Sequence, residues 1–527
     1  MTPWTRLVPL TGSRAGLKGT MTDQSFRLLT RFAVAAAAAA ALALVVAIVF
    51  PSPVMLPPFP VLPPWGGRPD EDPFSSFVEL LISLAALAVL AWWALAEALR
   101  LRRGMIRGQH PWRLVLGIAF VLSATVGLLW GTYWFLETVL VPELGHPRGR
   151  IEGEVLFFLS FFGWVIALGA WLVFVLLRRF VREGARKQAY QRSGWVVMAV
   201  ALLLPLMGPT VLVMRSNLDL LLLCIPSTAF ALVGVHLFQR YRRMPFYVLL
   251  SAFGWGALIS FGAAGLNAMY LSYVPRLLRS QEAINAGLSL SAGVFEEMFK
   301  GAGIAVIYLL ARRWFDNVAS GVVVGAAVGL GFNFTESVEY MAVDAGMQFW
   351  IRQTVGLMTS HVGFSALVGA AFGIARQLGD PRRGQRVVAA GYAAAACGHF
   401  VNNYVLYKGS AWFTLSDDPV VTVLLVYPAA ILLLQGPFLV VYLLLLRHGL
   451  REQATVIAQQ TSVEAWSGHG VITPPEVPLL SDARERFRER LRALRNGGPP
   501  RVAGHRSAAC SPTRPADAPM APVAQRP

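Results

Sequence analysis

Long apolar runs recur along the chain from residue 32 to residue 446. A helix needs about 20 mostly apolar residues to cross a bilayer, and it satisfies its own backbone hydrogen bonds in lipid. The runs of suitable length are 32–50, 77–99, 114–136, 155–177, 195–214, 218–238, 246–273, 286–311, 318–342, 354–375, 387–407 and 420–446. The sequence therefore predicts an all-α, polytopic integral membrane protein with about twelve transmembrane helices.

Composition and charge agree with this class. Charged residues make up 14% of the chain, against roughly 25% in soluble domains, so they are too few to cover a large soluble surface. The net charge of +17 falls largely in short loops between apolar runs, which favours a role in membrane topology over nucleic-acid binding. By the positive-inside rule we expect a multi-pass protein of the cell membrane with both termini cytoplasmic. The first apolar run is expected to remain as an uncleaved helix.

The segment after residue 446 has a different composition. It is polar, basic and rich in proline, and we expect most of it to be disordered. Its sequence SDARERFRERLRALRN predicts one basic amphipathic helix capped by Ser481. That helix could lie on anionic lipid or be surrounded by water.

Ionisable and amide side chains interrupt four of the later apolar runs. They are Glu296, Glu297 and Lys300 in 286–311, Asn333, Glu336 and Glu339 in 318–342, His361 in 354–375, and His399, Asn402 and Asn403 in 387–407. An ionised group at the bilayer centre costs roughly 2.5 to 3.5 kcal/mol on insertion scales, so such groups need partners. Their depths along antiparallel helices agree within one or two turns. We therefore predict that they face a common site in the outer half of the membrane.

Two kinds of chemistry fit these residue types. Two histidines and one or two glutamates match a catalytic zinc site, which needs three protein ligands and a position for water. Without metal, a glutamate held ionised by Lys300 could activate water while histidine and asparagine stabilise an oxyanion. Both routes lead to amide hydrolysis. A purely structural alternative is an ion pair between Glu296 and Lys300, four residues apart on one helix face. Lys300 neutralises only one carboxylate, however, which leaves the other glutamate for chemistry.

Four short motifs, EEMFK (296–300), FNFTE (332–336), HVGFS (361–365) and HFVNN (399–403), occur in order on successive predicted helices. Together they resemble the motifs of the PrsW family of intramembrane proteases, which is related to the type II CAAX-prenyl endopeptidases. The resemblance covers roughly residues 218–446. It implies a hydrolase acting on peptide bonds of membrane-bound proteins, often described as a metalloprotease, with a possible role in regulated intramembrane proteolysis.

The resemblance also assigns roles and a domain order. It nominates Glu296, Glu297, Glu336, His361 and His399 as catalytic, with Asn403 and Lys300 in support. If Zn²⁺ is bound, we predict His361, His399 and Glu297 as its ligands. The predicted order is a cytoplasmic segment 1–31, N-terminal transmembrane helices 32–214, a PrsW-like core 215–446 and the tail 447–527.

Two other functions are compatible with buried ionisable residues. A proton-coupled transporter would use the same residue types as a proton relay. A non-catalytic scaffold would retain the protease fold without its activity.

Overall fold

The computed structural model describes residues 14–49, 73–135, 150–178, 180–181, 184–265, 280–408, 418–467 and 472–496. Every regular element within these ranges is helical. The chain divides into two compact units, Met1–Leu450 and Arg451–Pro527. The all-α class predicted from the apolar runs is thereby confirmed for the described residues.

The helices are numbered in chain order. They are α1 (Arg14–Val49), α2 (Pro73–Ile106), α3 (Pro111–Phe135), α4 (Arg150–Leu177), α5 (Ala185–Leu203), α6 (Gly208–Ser216), α7 (Leu218–Leu237), α8 (Phe246–Gly265), α9 (Gln281–Leu310), α10 (Val318–Met341), α11 (Ala345–Gln348), α12 (His361–Leu378), α13 (Pro381–Lys408), α14 (Tyr427–Ser467), α15 (Glu476–Ser481) and α16 (Ala483–Asn496). Residues Leu204–Met207 form a 3₁₀ turn, and π-helical turns occupy Trp255–Ser260 within α8, Phe349–Val355 and Thr422–Val426.

Nine helical spans among the described residues are long and apolar enough to cross a membrane. This finding supports a multi-pass membrane protein. The other three predicted spans, 286–311, 354–375 and 387–407, also form helices, namely α9, α12 and α13. These three helices carry most of the polar residues of the predicted site. Their crossing of the bilayer, and a total of about twelve spans, remain predictions.

Several helix boundaries differ from the predicted ones, and α14 continues to Ser467, beyond the predicted end at residue 446. The predicted start at residue 354 is wrong, because α12 begins at His361 after the π-helical turn Phe349–Val355 and an irregular stretch. In that stretch the Thr359 hydroxyl donates to Gly356 O at 3.3 Å and to Gln435 Oε1 at 2.6 Å. Such side-chain hydrogen bonds compete with helix formation. At the chain start, the helix already includes residues 14–31, which precede the first predicted span.

The centre of the first unit is α10, which is buried along its length between α8 on one side and α12 on the other. Small residues permit this burial, because glycine on facing helices lets the two backbones approach closely. A Cβ atom added at Gly329 would lie 2.2 Å from His361 O, and one at Gly256 would lie 1.9 Å from Val328 O. The spacing of Gly321, Gly325 and Gly329 thus places α12, and with it His361, directly against α10.

Replacing Gly329 with alanine should therefore disturb both the fold and the site. The new methyl group meets backbone atoms, which cannot rotate away, so the contact between α10 and α12 must widen. Overpacking of this kind costs about 1–3 kcal/mol. We expect a lower midpoint of thermal unfolding in detergent and reduced activity, since His361 moves with its backbone. Gly301→Ala is the control: its Cβ would be 3.7 Å from Val368, an ordinary contact. Equal stability of the two variants would contradict this account.

The remaining helices surround this centre. Helix α1 packs along α13, and α9 packs against α13 and α3. Helices α2, α4 and α5 all pack against α3, and α4 also packs against α5. A continuous set of buried apolar side chains joins α3, α8, α9, α10 and α12. The N-terminal helices are therefore attached to the later ones through α3 and α1.

In the second unit, the predicted amphipathic helix forms as α16. The predicted Ser481 cap is wrong: Ser481 ends α15, where its hydroxyl donates to Val477 O at 2.9 Å. Asp482 takes the capping position and accepts a hydrogen bond from Arg484 N at 2.7 Å. The described part of the tail is thus helical, and disorder elsewhere in the tail stays a prediction.

Candidate functional site

Four helices bring the predicted ionisable residues together inside the first unit. Helix α9 supplies Glu296, Glu297 and Lys300, α10 supplies Glu336, α12 begins at His361, and α13 supplies His399. All six side chains are buried. The His361 and His399 rings lie 5.1 Å apart between centroids. The ionisable residues that were predicted to lie at similar depths therefore form one cluster in space.

Lys300 lies between the two glutamates of its own helix. Its Nζ is 2.5 Å from Glu297 Oε1 and 3.8 Å from Glu296 Oε2. The ammonium also donates to His361 Nδ1 at 3.0 Å and lies 4.2 Å above the Phe332 ring. The ion pair considered between Glu296 and Lys300 is present at 3.8 Å, but it is not the closest contact of Lys300. Lys300 forms its short contact with Glu297, three residues away, and the less paired carboxylate is Glu296.

His399 is held by Glu297 through one ring nitrogen. Its Nδ1 lies 3.0 Å from Glu297 Oε1, and an ionised carboxylate only accepts, so Nδ1 carries the proton. The lone pair is then on Nε2, which lies 3.8 Å from Glu296 Oε2. A carboxylate that orients a ligating histidine in this way is a recurrent outer shell of metal sites.

Glu336 holds the second histidine. Its Oε2 accepts from His361 Nε2 at 2.5 Å and from Arg352 Nη1 at 2.6 Å. Arg352 lies in the π-helical turn between the second and third motifs, and the sequence analysis gave it no role. A single arginine in the apolar stretch FWIRQTV was the available signal.

Glu296 and Glu297 each have one uncommitted carboxylate oxygen. Among the residues that the structure describes, the buried Oε2 atoms of both have no hydrogen-bond partner. One donor atom each from Glu296, His361 and His399 lies within 4.8 Å of the other two. Two imidazoles and a carboxylate are the donor set of many catalytic zinc sites. These residues therefore fit a divalent cation, and the unpaired Glu296 oxygen agrees with that fit.

Glu297, the predicted third ligand, does not belong to that group of donor atoms. Its Oε1 contacts both Lys300 and His399. The geometry favours Glu296 as the ligand and Glu297 as the group that orients His399.

A cavity of about 480 Å³ reaches the cluster from the side of α11, α13 and α14. Glu336, His361 and His399 lie in its wall, together with Arg352 and Asn403. Asn403 accepts a hydrogen bond from Asn402 at 3.0 Å through its Oδ1, and its amide nitrogen is the donor that remains for a bound molecule. The cavity gives the histidines and Glu336 access from outside the protein interior.

A second polar chain supports the cavity wall. Thr359 donates to Gln435 Oε1 at 2.6 Å, and Gln435 Nε2 donates to Asn402 Oδ1 at 3.0 Å. Gln435 comes from α14, outside the four motifs, and the sequence analysis did not identify it. A glutamine inside the apolar run ILLLQGPF was the signal that could have found it.

Comparison with known proteins agrees with this geometry. Residues 244–433 match the family described as "PrsW family intramembrane metalloprotease". Over these residues the chain is similar to the PrsW family. All four motifs lie inside the matched region, so the resemblance drawn from them is confirmed.

One curated relative is Protease PrsW of Geobacillus kaustophilus (strain HTA426). It is 28% identical over 148 residues, which are 28% of this chain and 63% of that protein. The match thus spans less than two thirds of the relative's length. No solved structure matches the chain at a significant level. The helices before α8 lie outside the PrsW-family region.

Proposed function

We propose that this protein is an intramembrane peptidase that uses a divalent metal ion to hydrolyse peptide bonds of membrane-associated proteins. The observation that carries the proposal is the grouping of Glu296, His361 and His399, with donor atoms within 4.8 Å of one another beside a cavity. Similarity to a family of membrane proteases supports the reaction type.

The metal, for which Zn²⁺ is the best candidate, would be held by Glu296 Oε2, His399 Nε2 and His361. When bound there, zinc acts as a Lewis acid that polarises a carbonyl and activates water at neutral pH. The predicted metal-free route needs a glutamate held ionised by Lys300, and the 2.5 Å contact favours Glu297 for that role. The two imidazoles favour the metal route, because both direct a ring nitrogen towards the same small region.

Other residues of the chain orient the proposed metal ligands and keep them buried. Glu297 holds the proton of His399 at Nδ1, and Lys300 compensates the Glu297 charge. Asn403 would donate its amide to the carbonyl oxygen of a substrate in the cavity. Burial of the whole cluster lowers the local dielectric, so these interactions are stronger than they would be in water.

The substrate would be a membrane-anchored protein that reaches the cavity within the bilayer. Release of part of such a protein is the chemistry of regulated intramembrane proteolysis, and we propose that class of role. The positive charge of alternate loops supports a cell-membrane location with cytoplasmic termini. A proton-coupled transporter and a non-catalytic scaffold are less favoured, since neither explains a cavity, a ligand set and a protease family in one region.

The test is metal analysis combined with a proteolysis assay. The full-length protein is purified in detergent, its zinc is quantified, and it is reconstituted with a set of single-span peptides whose cleavage is followed by mass spectrometry. We expect about one zinc ion per chain, cleavage that chelation abolishes, and recovery when Zn²⁺ is added back. His399→Ala should lose both zinc and cleavage, whereas His236→Ala, at a histidine of α7 outside the site, should keep both. Cleavage that survives complete removal of metal would overturn the metal route. If no peptide is cleaved under any condition, the proposal that the protein is a peptidase is overturned.

A further inference from the structure

Arg352 lies outside the four motifs, yet it contacts the site directly. Its Nη1 donates to Glu336 Oε2 at 2.6 Å, the same oxygen that accepts from His361 Nε2 at 2.5 Å. We propose that Arg352 is a positioning residue: it fixes the Glu336 carboxylate, which in turn holds the His361 ring with Nδ1 directed into the site. This inference rests on the proposed metal-dependent function and adds a residue to it.

The first step concerns the tautomer of His361. An ionised carboxylate only accepts, so the proton of the neutral ring lies on Nε2, where Glu336 binds it. The lone pair is then on Nδ1, which accepts from Lys300 Nζ at 3.0 Å, on the side of Glu296 and Glu297, and would exchange that hydrogen bond for a metal ion. If Glu336 turned away, the ring could rotate or change tautomer, and Nδ1 would no longer be held ready as a ligand.

The second step concerns what holds Arg352 itself. Its Nε donates to Gln348 Oε1 at 3.1 Å, and its guanidinium carbon lies 3.8 Å from the centre of the Tyr340 ring. Its backbone carbonyl accepts from Asn333 Nδ2 at 3.3 Å. A guanidinium is a planar fork that remains charged and stacks on aromatic rings, so these contacts fix its direction as well as its place. Tyr340 is part of this support.

The third step is the correspondence between the two histidines. His399 is bonded to Glu297, and Glu297 is bonded to Lys300. His361 is bonded to Glu336, and Glu336 is bonded to Arg352. Each imidazole therefore contacts a carboxylate that in turn contacts a cationic side chain, although the two sets of groups come from different helices. The same solution on both sides indicates that Arg352 serves His361 as Lys300 serves His399.

Arg352 also lies in the cavity wall and is 20% exposed, so a direct role in substrate binding is the competing interpretation. The two interpretations differ in their kinetics. A positioning residue acts through Glu336 and changes turnover and metal affinity. A substrate contact changes KM and leaves metal affinity alone.

The experiment uses the full-length protein in lipid nanodiscs and compares Arg352→Met, Glu336→Gln and the double variant. Zinc affinity is measured by competition with a chromogenic chelator, and kcat and KM are measured on a cleaved single-span peptide. Loss of an outer-shell partner costs about 10–100-fold in metal affinity or activity. We expect losses of that size in zinc affinity and kcat for each single variant, with KM within about twofold. The double variant should lose no more than Glu336→Gln alone.

Two further variants keep the test decisive. Arg242→Met removes an arginine from an exposed pair with Asp316 and should leave zinc affinity and kcat unchanged. Arg352→Lys retains the charge if Arg352→Met does not fold, and it should bind zinc more weakly than wild type because it cannot also reach Gln348. Additive losses in the double variant, or a raised KM with unchanged zinc affinity, would overturn the proposal. If the wild type itself binds no zinc and cleaves nothing, the proposed function fails instead. This outcome distinguishes failure of the proposed function from failure of the role assigned to Arg352.

Discussion

Glu296→Gln should abolish peptide cleavage and zinc binding while leaving the protein at least as stable as wild type. The substitution keeps the size of the side chain but removes the charge that would bind a cation. Outer-shell changes already cost about 10–100-fold, so loss of a direct ligand should lower activity by more than about 100-fold. Stability should not fall, because a buried charge is costly and Glu296 Oε2 has no hydrogen-bond partner among the described residues.

The measurement pairs an activity assay with thermal unfolding of the same preparation in detergent. Glu282→Gln is the matched control, since it makes the same change at a buried glutamate in the same helix, outside the cluster. It should retain activity and zinc. A Glu296→Gln protein that binds zinc with wild-type affinity would show that the carboxylate is not a ligand, and the assignment would return to Glu297.

The cluster itself could be predicted from the sequence because the bilayer constrains the positions of its residues. Helices of known rise per residue, arranged antiparallel, convert sequence positions into depths. Glu296, Glu336 and His399 therefore had to lie at similar heights, and the cost of burying them alone required that they meet. The polar residues that α9, α12 and α13 contribute also explain why these three helices are less apolar than expected of a membrane span.

The pairing within the cluster was beyond sequence reasoning. On a helix, residues three and four apart are both neighbours, so Lys300 could reach Glu296 or Glu297. The choice depends on groups from other helices. His399 on α13 forms a hydrogen bond with Glu297, and His361 on α12 accepts a hydrogen bond from Lys300. Sequence spacing carries no information about those contacts. It could not assign the ligand role between the two glutamates.

Arg352 was missed for a different reason. It lies in a π-helical turn, where neither helical periodicity nor a motif marks the direction of a side chain. Its role depends on α10 and α12 lying close together, which the small residues at 321, 325 and 329 allow. That stripe of glycines at intervals of four was visible in the sequence, and it would have predicted the close approach of α10 to another helix.

Lys300→Met should cause the largest loss of stability of any single change in the site. The Lys300 ammonium is fully buried and lies 2.5 Å from Glu297 Oε1. Removal of one member of a buried ion pair leaves the other charge uncompensated, which costs about 3–5 kcal/mol. The Glu297 charge would then be left with only His399 as a partner in the site, and Glu296 would lose its nearest cation.

The double variant Lys300→Met/Glu297→Gln separates this cause from a loss of packing. Replacing both members of a buried pair by neutral groups is often close to neutral, so the double variant should unfold at a higher temperature than Lys300→Met alone. Arg242→Met, at an exposed pair with Asp316, is expected to cost no more than about 1 kcal/mol. If Lys300→Met were no less stable than Arg242→Met, the buried pair would contribute little. The Lys300 ammonium would then be important for the direction of Glu297 and His399 rather than for the stability of the fold.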